Sequence, residues 1–401
     1  MSRQTILMVA LVCLGSWLRL VNLGNVVTRT PDERVYTYQA KTWLDGGAAG
    51  IRSLIAEYKA DADTRLYPPP TRVGMIRLVG MAMMWTGKRD EEVGARISCA
   101  ASIGSLLLLA LLGIRFFPPW AAATGMLLYA VLPPDLAIAR RTWTDALVEL
   151  FGLVLIFVVC EVTRGARAWF WYVLFAVTGS IGILFKESMP VPYGLCALWM
   201  VWILGRGREW RDVGVLAAAT AVGMGLSLWW LAGQVGSLSD YVSIVLAIPS
   251  VNAANAYALE YASGPPYLML TGFWILAPLT SLLAVAGLVA VWRSREHLVL
   301  VWLAVFVVAY IGIAMAMPHF INLRYVGNTF GSVCLLAGLG AYRLIEKGMA
   351  LAGEEGRVLA VLGIAIVMGG ATQDYLRFQR YFVRDQMVDL SIKMLLDERG
   401  Q

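Results

Sequence analysis

With 401 residues, 59% of them hydrophobic and only 15% charged, the chain has too little polar surface for a soluble domain of its size. A net charge of +6 could suggest nucleic acid, but Lys and Arg lie in short clusters between apolar runs, the distribution that membrane topology produces. The composition therefore predicts an all-α polytopic membrane protein, a helix bundle in lipid with no nucleic-acid partner.

Apolar runs fall at about 5–24, 73–86, 95–114, 119–138, 146–163, 168–185, 189–204, 212–232, 266–292, 298–317, 325–345 and 357–372. The first follows Arg3, has no small-residue cleavage site close behind it, and reads as an uncleaved span with Arg19 snorkelling from its end. A long loop, 25–94, comes next. In it Thr30, Pro31 and Glu33 fit a capping box, and 35–66 reads as an interfacial amphipathic helix, with Tyr36, Ala40, Trp43 and Leu44 at helical spacing.

The run 73–86 is short, contains Arg77 and is flanked by Arg72, Lys88 and Arg89. If it stays on one side, Arg3, Arg115, Arg164/Arg167, Arg206/Arg208/Arg211, Arg293/Arg295 and Arg343/Lys347 all face the cytoplasm; if it crosses, each later cluster moves outside. The charge rule thus predicts about eleven spans in one transmembrane domain, 1–372, with outer loops 25–94 and 233–265 and a short outer C-terminal tail, 373–401. Loop 233–265, with Tyr241, Asn252, Asn255, Tyr257, Glu260 and Tyr261, reads as a lid or acceptor surface.

The five cysteines all lie in apolar runs, and His297 and His319 stand alone without an HExxH pattern. Disulfide frameworks and metalloprotease-type zinc chemistry are excluded. The polar residues converge instead on the outer side. Asp32 and Glu33 sit just past the first span; Arg140, Arg141 and Asp145 follow a span broken at Pro133-Pro134; Lys186-Glu187 lies between two spans; and His319 to Tyr325 carries Arg324. Two outer arginines, Arg140 and Arg141, break the charge rule and call for a local anionic partner. Arg suits phosphate because its planar fork engages two oxygens at once.

This ordered set resembles the GT-C glycosyltransferases, in particular the protein O-mannosyltransferase and lipid A aminoarabinose transferase branch. The matching residues are Arg19, Asp32-Glu33 with Tyr36, Tyr67-Pro68-Pro69-Pro70, Gly94-Ala95-Arg96, and Arg140 with Asp145, so the likeness covers roughly residues 15–160. It implies a GT-C-like bundle in the plasma (inner) membrane, its site facing outside or the periplasm. It also implies transfer of a sugar from a polyprenyl-phosphate carrier to a lipid, glycan or protein acceptor, with inversion. Asp32 aligns with the family's catalytic acid and Asp145 with its second.

The chemistry of such a displacement asks for a base on the acceptor hydroxyl and cations on the departing phosphate. Asp32 is the candidate base, with Glu33 or Asp145 orienting it. Arg324, Lys186, Arg140 and Arg141 are candidates for the phosphate, and Tyr36, Tyr67, Glu187, His319 and Tyr325 for the substrate. Asp32 and Asp145 could alternatively hold a divalent cation such as Mg or Mn. The rival class is a lipid or solute transporter or flippase, which predicts midplane charges and broken helices repeated in two related halves; no such repeat is visible.

Overall fold

The computed structural model describes residues 3–294, 297–317, 319–352 and 356–400; Arg295 lies outside them, as does the side chain of Arg3. Helix α1 (Arg3–Leu23) leads to α2 (Pro31–Ala60), α3 (Val73–Thr86) and α4 (Glu91–Phe116). The broken span at Pro133-Pro134 is α5 (Pro119–Ala130) and α6 (Pro133–Ala139), bent by 54°; α7 (Asp145–Thr163), α8 (Trp169–Ile183), α9 (Pro190–Arg206) and α10 (Trp210–Val235) follow. The second half holds α11 (Leu238–Ala254), α12 (Ala256–Tyr261), α13 (Leu268–Leu276), α14 (Pro278–Ser294), α15 (Leu298–Ala316), α16 (Phe330–Ala352), α17 (Gly356–Phe378) and α18 (Ile392–Gly400).

Among the described residues, six helices are long and apolar enough to cross a bilayer: α1, α4, α7, α10, α15 and α17 with its continuation to Arg384; two bent pairs bring the number to eight. Of the eleven spans expected, the other three fall on α8, α9 and α16. At 15 and 17 residues, α8 and α9 rise only ~23 and ~26 Å against a hydrocarbon core of ~30 Å. Helix α3, expected as a non-crossing segment, has 14 residues.

Three local readings are corrected. The run 266–292 is not one straight span: its halves α13 and α14 meet at 118°, at Pro278, whose missing N–H and ring break a helical ladder. The stretch 233–265 is not an open loop but the paired helices α11 and α12. Nor does Arg19 snorkel. It is buried, forms an ion pair with Asp135 and donates to Ser102 Oγ at 2.5 Å. It also donates to the carbonyls of Ala130 and Tyr129 at 3.3 and 3.4 Å. Both carbonyls lie at the end of α5, and that of Tyr129 also accepts from Leu132 N at 3.3 Å, so one cation helps to cap a broken helix and ties it to α1 and α4.

The bundle closes through small residues. A Cβ on Gly338 of α16 would lie 2.1 Å from the Ala121 carbonyl oxygen of α5, so only glycine allows that backbone approach.

Helices α4 and α7 run parallel and separate two polar ends. Thr142, ahead of α7, donates to the Glu91 carbonyl at the start of α4 at 2.6 Å, while Arg115 at the end of α4 pairs with Glu161 near the end of α7. Asp145 and Glu161 are ~24 Å apart along α7. Arg164 donates to the Arg115 carbonyl and Arg167 pairs with Glu209, so these later-loop arginines gather at the end away from Asp145.

Candidate active site

Helix α2 begins with the predicted capping box. Thr30 Oγ1 accepts the Glu33 amide and the Glu33 carboxylate accepts the Thr30 amide at 2.8 Å, with Pro31 at the first helical position. Successive helical residues point ~100° apart, so Asp32 and Glu33 cannot share a direction. Glu33 turns inward, its side chain fully buried, and also takes Arg29 at 2.9 Å, Arg141 at 2.9 Å and the Thr142 amide at 3.0 Å. Burial pushes its carboxyl up, but Arg141, these amides and Arg29 outweigh that and hold it below the ordinary value. Glu33 is thus an anchor between α2 and the segment before α7, and lines none of the described cavities.

The same anchor explains the arginines that break the charge rule. The anionic partner of Arg141 is Glu33, and its fork also reaches the carbonyls of Thr28 and Met387 at 3.0 and 3.2 Å. Arg140 donates to the carbonyls of Phe382 and Asn25. Neither lines a described cavity. Both fasten the N- and C-terminal segments onto the end of the bundle that carries Asp145.

Asp32 faces a cleft, its side chain 23% exposed, and accepts from Arg324 Nη1 at 3.0 Å. Asn322 Oδ1 takes the Arg324 amide at 3.0 Å and starts the tight turn Leu323–Thr329, which fixes where the arginine emerges. The guanidinium lies 5.2 Å from the Trp143 ring centre and 5.4 Å from that of Tyr325, and its buried Nε has no hydrogen-bond partner among the described residues.

Beside it, Lys186 Nζ donates to Asp145 Oδ1 at 2.6 Å and sits 4.9 Å over the Tyr325 ring. Burial lowers the Lys186 pKa, Asp145 opposes this, and the cations Arg72 and Arg324 add to the lowering; the net direction is down. Glu187 accepts both arms of Arg72, whose guanidinium also donates to Tyr36. Tyr36 is therefore buried behind Arg72 and does not line a described cavity.

These groups border a cleft made of three neighbouring cavities that share lining residues. An apolar groove of about 230 Å³ has Lys186, Glu187 and Tyr325 at its polar end and Val191, Val245, Pro249 and Met317 along its walls. A neck of about 90 Å³ holds Asp32, Tyr67, Arg72, Glu187, Arg324 and Tyr325. A polar chamber of about 320 Å³ shares Asp32, Tyr67, Asn252, Arg324 and Tyr325 with the neck and adds Trp143, Tyr257, His319, Asn322 and Asp389. His319 has a left-handed backbone, φ 65°, and its Nδ1 meets Ser263 Oγ at 2.5 Å.

Of the sequence candidates, the structure thus brings Asp32, Tyr67, Lys186, Glu187, His319, Arg324 and Tyr325 to the cleft. It sets Asp145 behind Lys186, and Glu33, Tyr36, Arg140 and Arg141 in the frame. Four cleft residues did not stand out in the sequence. Arg72 read as a topogenic flank of 73–86, although it closely follows Tyr67-Pro68-Pro69-Pro70; Trp143 lay between Arg141 and Asp145; Asn322 and Asp389 had no local signal. The alternative divalent site would require Asp32 and Asp145 to share or give up partners they already have. Asp32 and Asp145 are each committed to a cation of the chain, and no group of three or more His, Cys, Asp or Glu gathers among the described residues.

No protein-family model and no curated protein sequence matches the chain. Solved structures do. ArnT from Cupriavidus metallidurans bound to undecaprenyl phosphate superposes with a TM-score of 0.61 at 14% identity, over 92% of this chain and 75% of that one. The archaeal oligosaccharyltransferase AglB from Archaeoglobus fulgidus, in complex with an inhibitory peptide and a dolichol-phosphate, gives 0.65 at 11% identity, over 97% of this chain and 56% of that one. A complex of the oligosaccharyltransferase from the same organism with Zn and sulfate gives 0.63 at 12% identity, over 96% and 53%. The chain is a multi-pass membrane protein with the GT-C-like helical fold of these enzymes.

Proposed function

We propose that this protein is a glycosyltransferase that moves a sugar from a polyprenyl-phosphate donor to an acceptor hydroxyl at the outer face of the plasma membrane, with inversion at the anomeric carbon. One observation carries the reading: the Asp32–Arg324 pair lines both the polar chamber and the neck, and the neck shares Glu187 and Tyr325 with the apolar groove. A polyprenyl chain suits the groove and a sugar suits the chamber. The phosphate between them would then lie in the neck, within the field of Arg324 and Lys186. The fold neighbours bound to undecaprenyl phosphate and to a dolichol-phosphate support the donor class.

Asp32 acts as base. It takes the proton of the acceptor hydroxyl as that oxygen bonds to the anomeric carbon, and the bonding pair of the old C–O bond departs onto the phosphate. Negative charge therefore grows on the phosphate in the transition state, where preorganised donors matter most. The buried Arg324 Nε, unpartnered among the described residues, is such a donor, and a phosphate oxygen is a partner it lacks. Asp145 holds Lys186 by one of its three N–H groups and leaves the others for the same phosphate. Glu33 takes no part in the reaction: it holds the α2 terminus, and so Asp32, in place.

The test is consumption of a panel of polyprenyl-phosphate sugars by purified protein in lipid, read as release of polyprenyl phosphate. Turnover of at least one donor is expected. If none is bound or consumed, the reading fails.

A further inference from the structure

The chamber divides by what it shares with the neck. Asp32, Tyr67 and Arg324 border both, and the donor sugar belongs there; Asn255, Tyr257, His319, Asn322 and Asp389 border the chamber alone. This far half is completed by the segment ahead of α18. Asn322 pairs with Ser391 in an isolated bridge, Leu323 N donates to the Leu390 carbonyl at 3.3 Å, and Arg141 and Arg140 grip the carbonyls of Met387 and Phe382. The segment thereby delivers Asp389 to the chamber wall.

The groups in this half are chemically uniform. Asp389 Oδ2 accepts from Asn322 Nδ2 at 2.9 Å and from the Tyr257 hydroxyl, and its Oδ1 accepts the Leu390 amide at 2.7 Å. All three donors are neutral, and no Lys, Arg or His nitrogen among the described residues lies within 4.0 Å of its carboxylate. Arg324, the guanidinium that lines the chamber among the described residues, pairs with Asp32 and feels the charge of Asp389 as well. Because Tyr257 donates to Asp389, its phenol oxygen is left as an acceptor toward the cavity. Asn255 spends Oδ1 on the Tyr257 amide at 2.9 Å, and its NH₂ group has no partner among the described residues. Aromatic faces, amide donors and oxygen acceptors side by side suit hydroxyl groups, which both give and take hydrogen bonds. An anionic ligand would meet two carboxylates, Asp32 and Asp389, against the single guanidinium of Arg324.

We infer that the acceptor is itself a carbohydrate, an uncharged sugar ring bound in the far half of the chamber, with Asp389 on the C-terminal segment as the residue that selects against anionic acceptors. A volume of about 320 Å³ lies at the small end of the ~300–1,000 Å³ range of small-molecule sites, enough for sugar-sized groups rather than a peptide segment. This rests on the glycosyl-transfer reading above.

The experiment uses the full chain in lipid vesicles with a donor it consumes. It compares an alkyl hexoside, the corresponding alkyl hexuronide and a Ser/Thr peptide as acceptors. The hexoside should be glycosylated at least ~10-fold faster than the hexuronide, since like-charge juxtaposition costs more than the 1.4 kcal/mol that a tenfold ratio represents. Asp389→Asn should narrow that ratio at least ~5-fold with donor affinity unchanged; Tyr257→Phe, which keeps the ring, should raise the KM for the hexoside. Equal rates on both glycosides in the wild type, or transfer to the peptide alone, would overturn the inference while leaving glycosyl transfer intact. No donor consumption at all would remove the underlying reading and this inference with it.

Discussion

Replacement of Arg324 by Ala separates chemistry from scaffolding. The side chain offers the departing phosphate its Nε and stacks on Trp143 and Tyr325, yet its one ion pair, to Asp32, is partly open to water. Losing that pair costs about 1 kcal/mol of stability, and losing each ring contact about 0.5–1 kcal/mol more. Losing a preorganised donor to a developing anion costs about 10²–10³ in turnover, roughly 2.7–4 kcal/mol of barrier. Catalysis should therefore collapse while the fold stays. Arg324→Lys keeps the charge but loses the fork and the flat stacking face, so an intermediate loss of about tenfold is expected. Single-turnover rates at saturating donor, read beside thermal midpoints in detergent, measure both quantities. Arg140→Ala is the control: its fork is spent on two backbone carbonyls, so it should lower the midpoint and leave the rate per folded molecule nearly unchanged. An Arg324→Ala protein within about threefold of wild-type turnover would refute the reasoning, as would an activity loss that tracks unfolding.

Lys186 is lowered from its ordinary 10.5, so donor affinity should fall with rising pH below that value as the ammonium loses its proton; in Lys186→Arg this alkaline limb should vanish, as donor binding across pH will reveal. Glu33→Gln strips the buried partner from Arg141 and should cost about 3 kcal/mol or more, measured as thermal midpoint. Because Glu33 is depressed in the folded state, its contribution is present above the ordinary 4.5 and is lost as pH falls through the folded value; the variant should lack that part of the wild-type acid instability. A reporter fused after Gly400 should be exposed on the outer face, the side we assign to the site; cytoplasmic exposure would overturn the eleven-span topology.

Much of the site was legible because its residues sit beside breaks in hydrophobicity. Asp32, Lys186 and Arg324 are polar groups at the ends of apolar runs, where a charge needs a reason. The sequence also offered two readings of Asp32-Glu33, cap or chemistry, and the structure divides them: Glu33 caps, and its neighbour, rotated ~100° around the helix, faces the cleft. Which side of a helix a residue occupies is set by tertiary packing, so spacing could not assign Arg140 and Arg141 to backbone carbonyls and Glu33 rather than to a ligand. Asp389 was invisible for a different reason: its meaning comes from Tyr257 and Asn322, far away in the chain. Pro278 was readable as a breaker, but the apolar run around it is continuous, and hydropathy says nothing of direction.

The most direct test of the account is Asp32→Asn. The amide keeps the size and the place of the carboxylate but cannot accept the acceptor's proton. The account predicts that this variant binds the polyprenyl-phosphate sugar that the wild type consumes, with affinity largely intact, and transfers none of it. Transfer at the wild-type rate would contradict the assignment and leave Asp32 only its place in the first turn of α2.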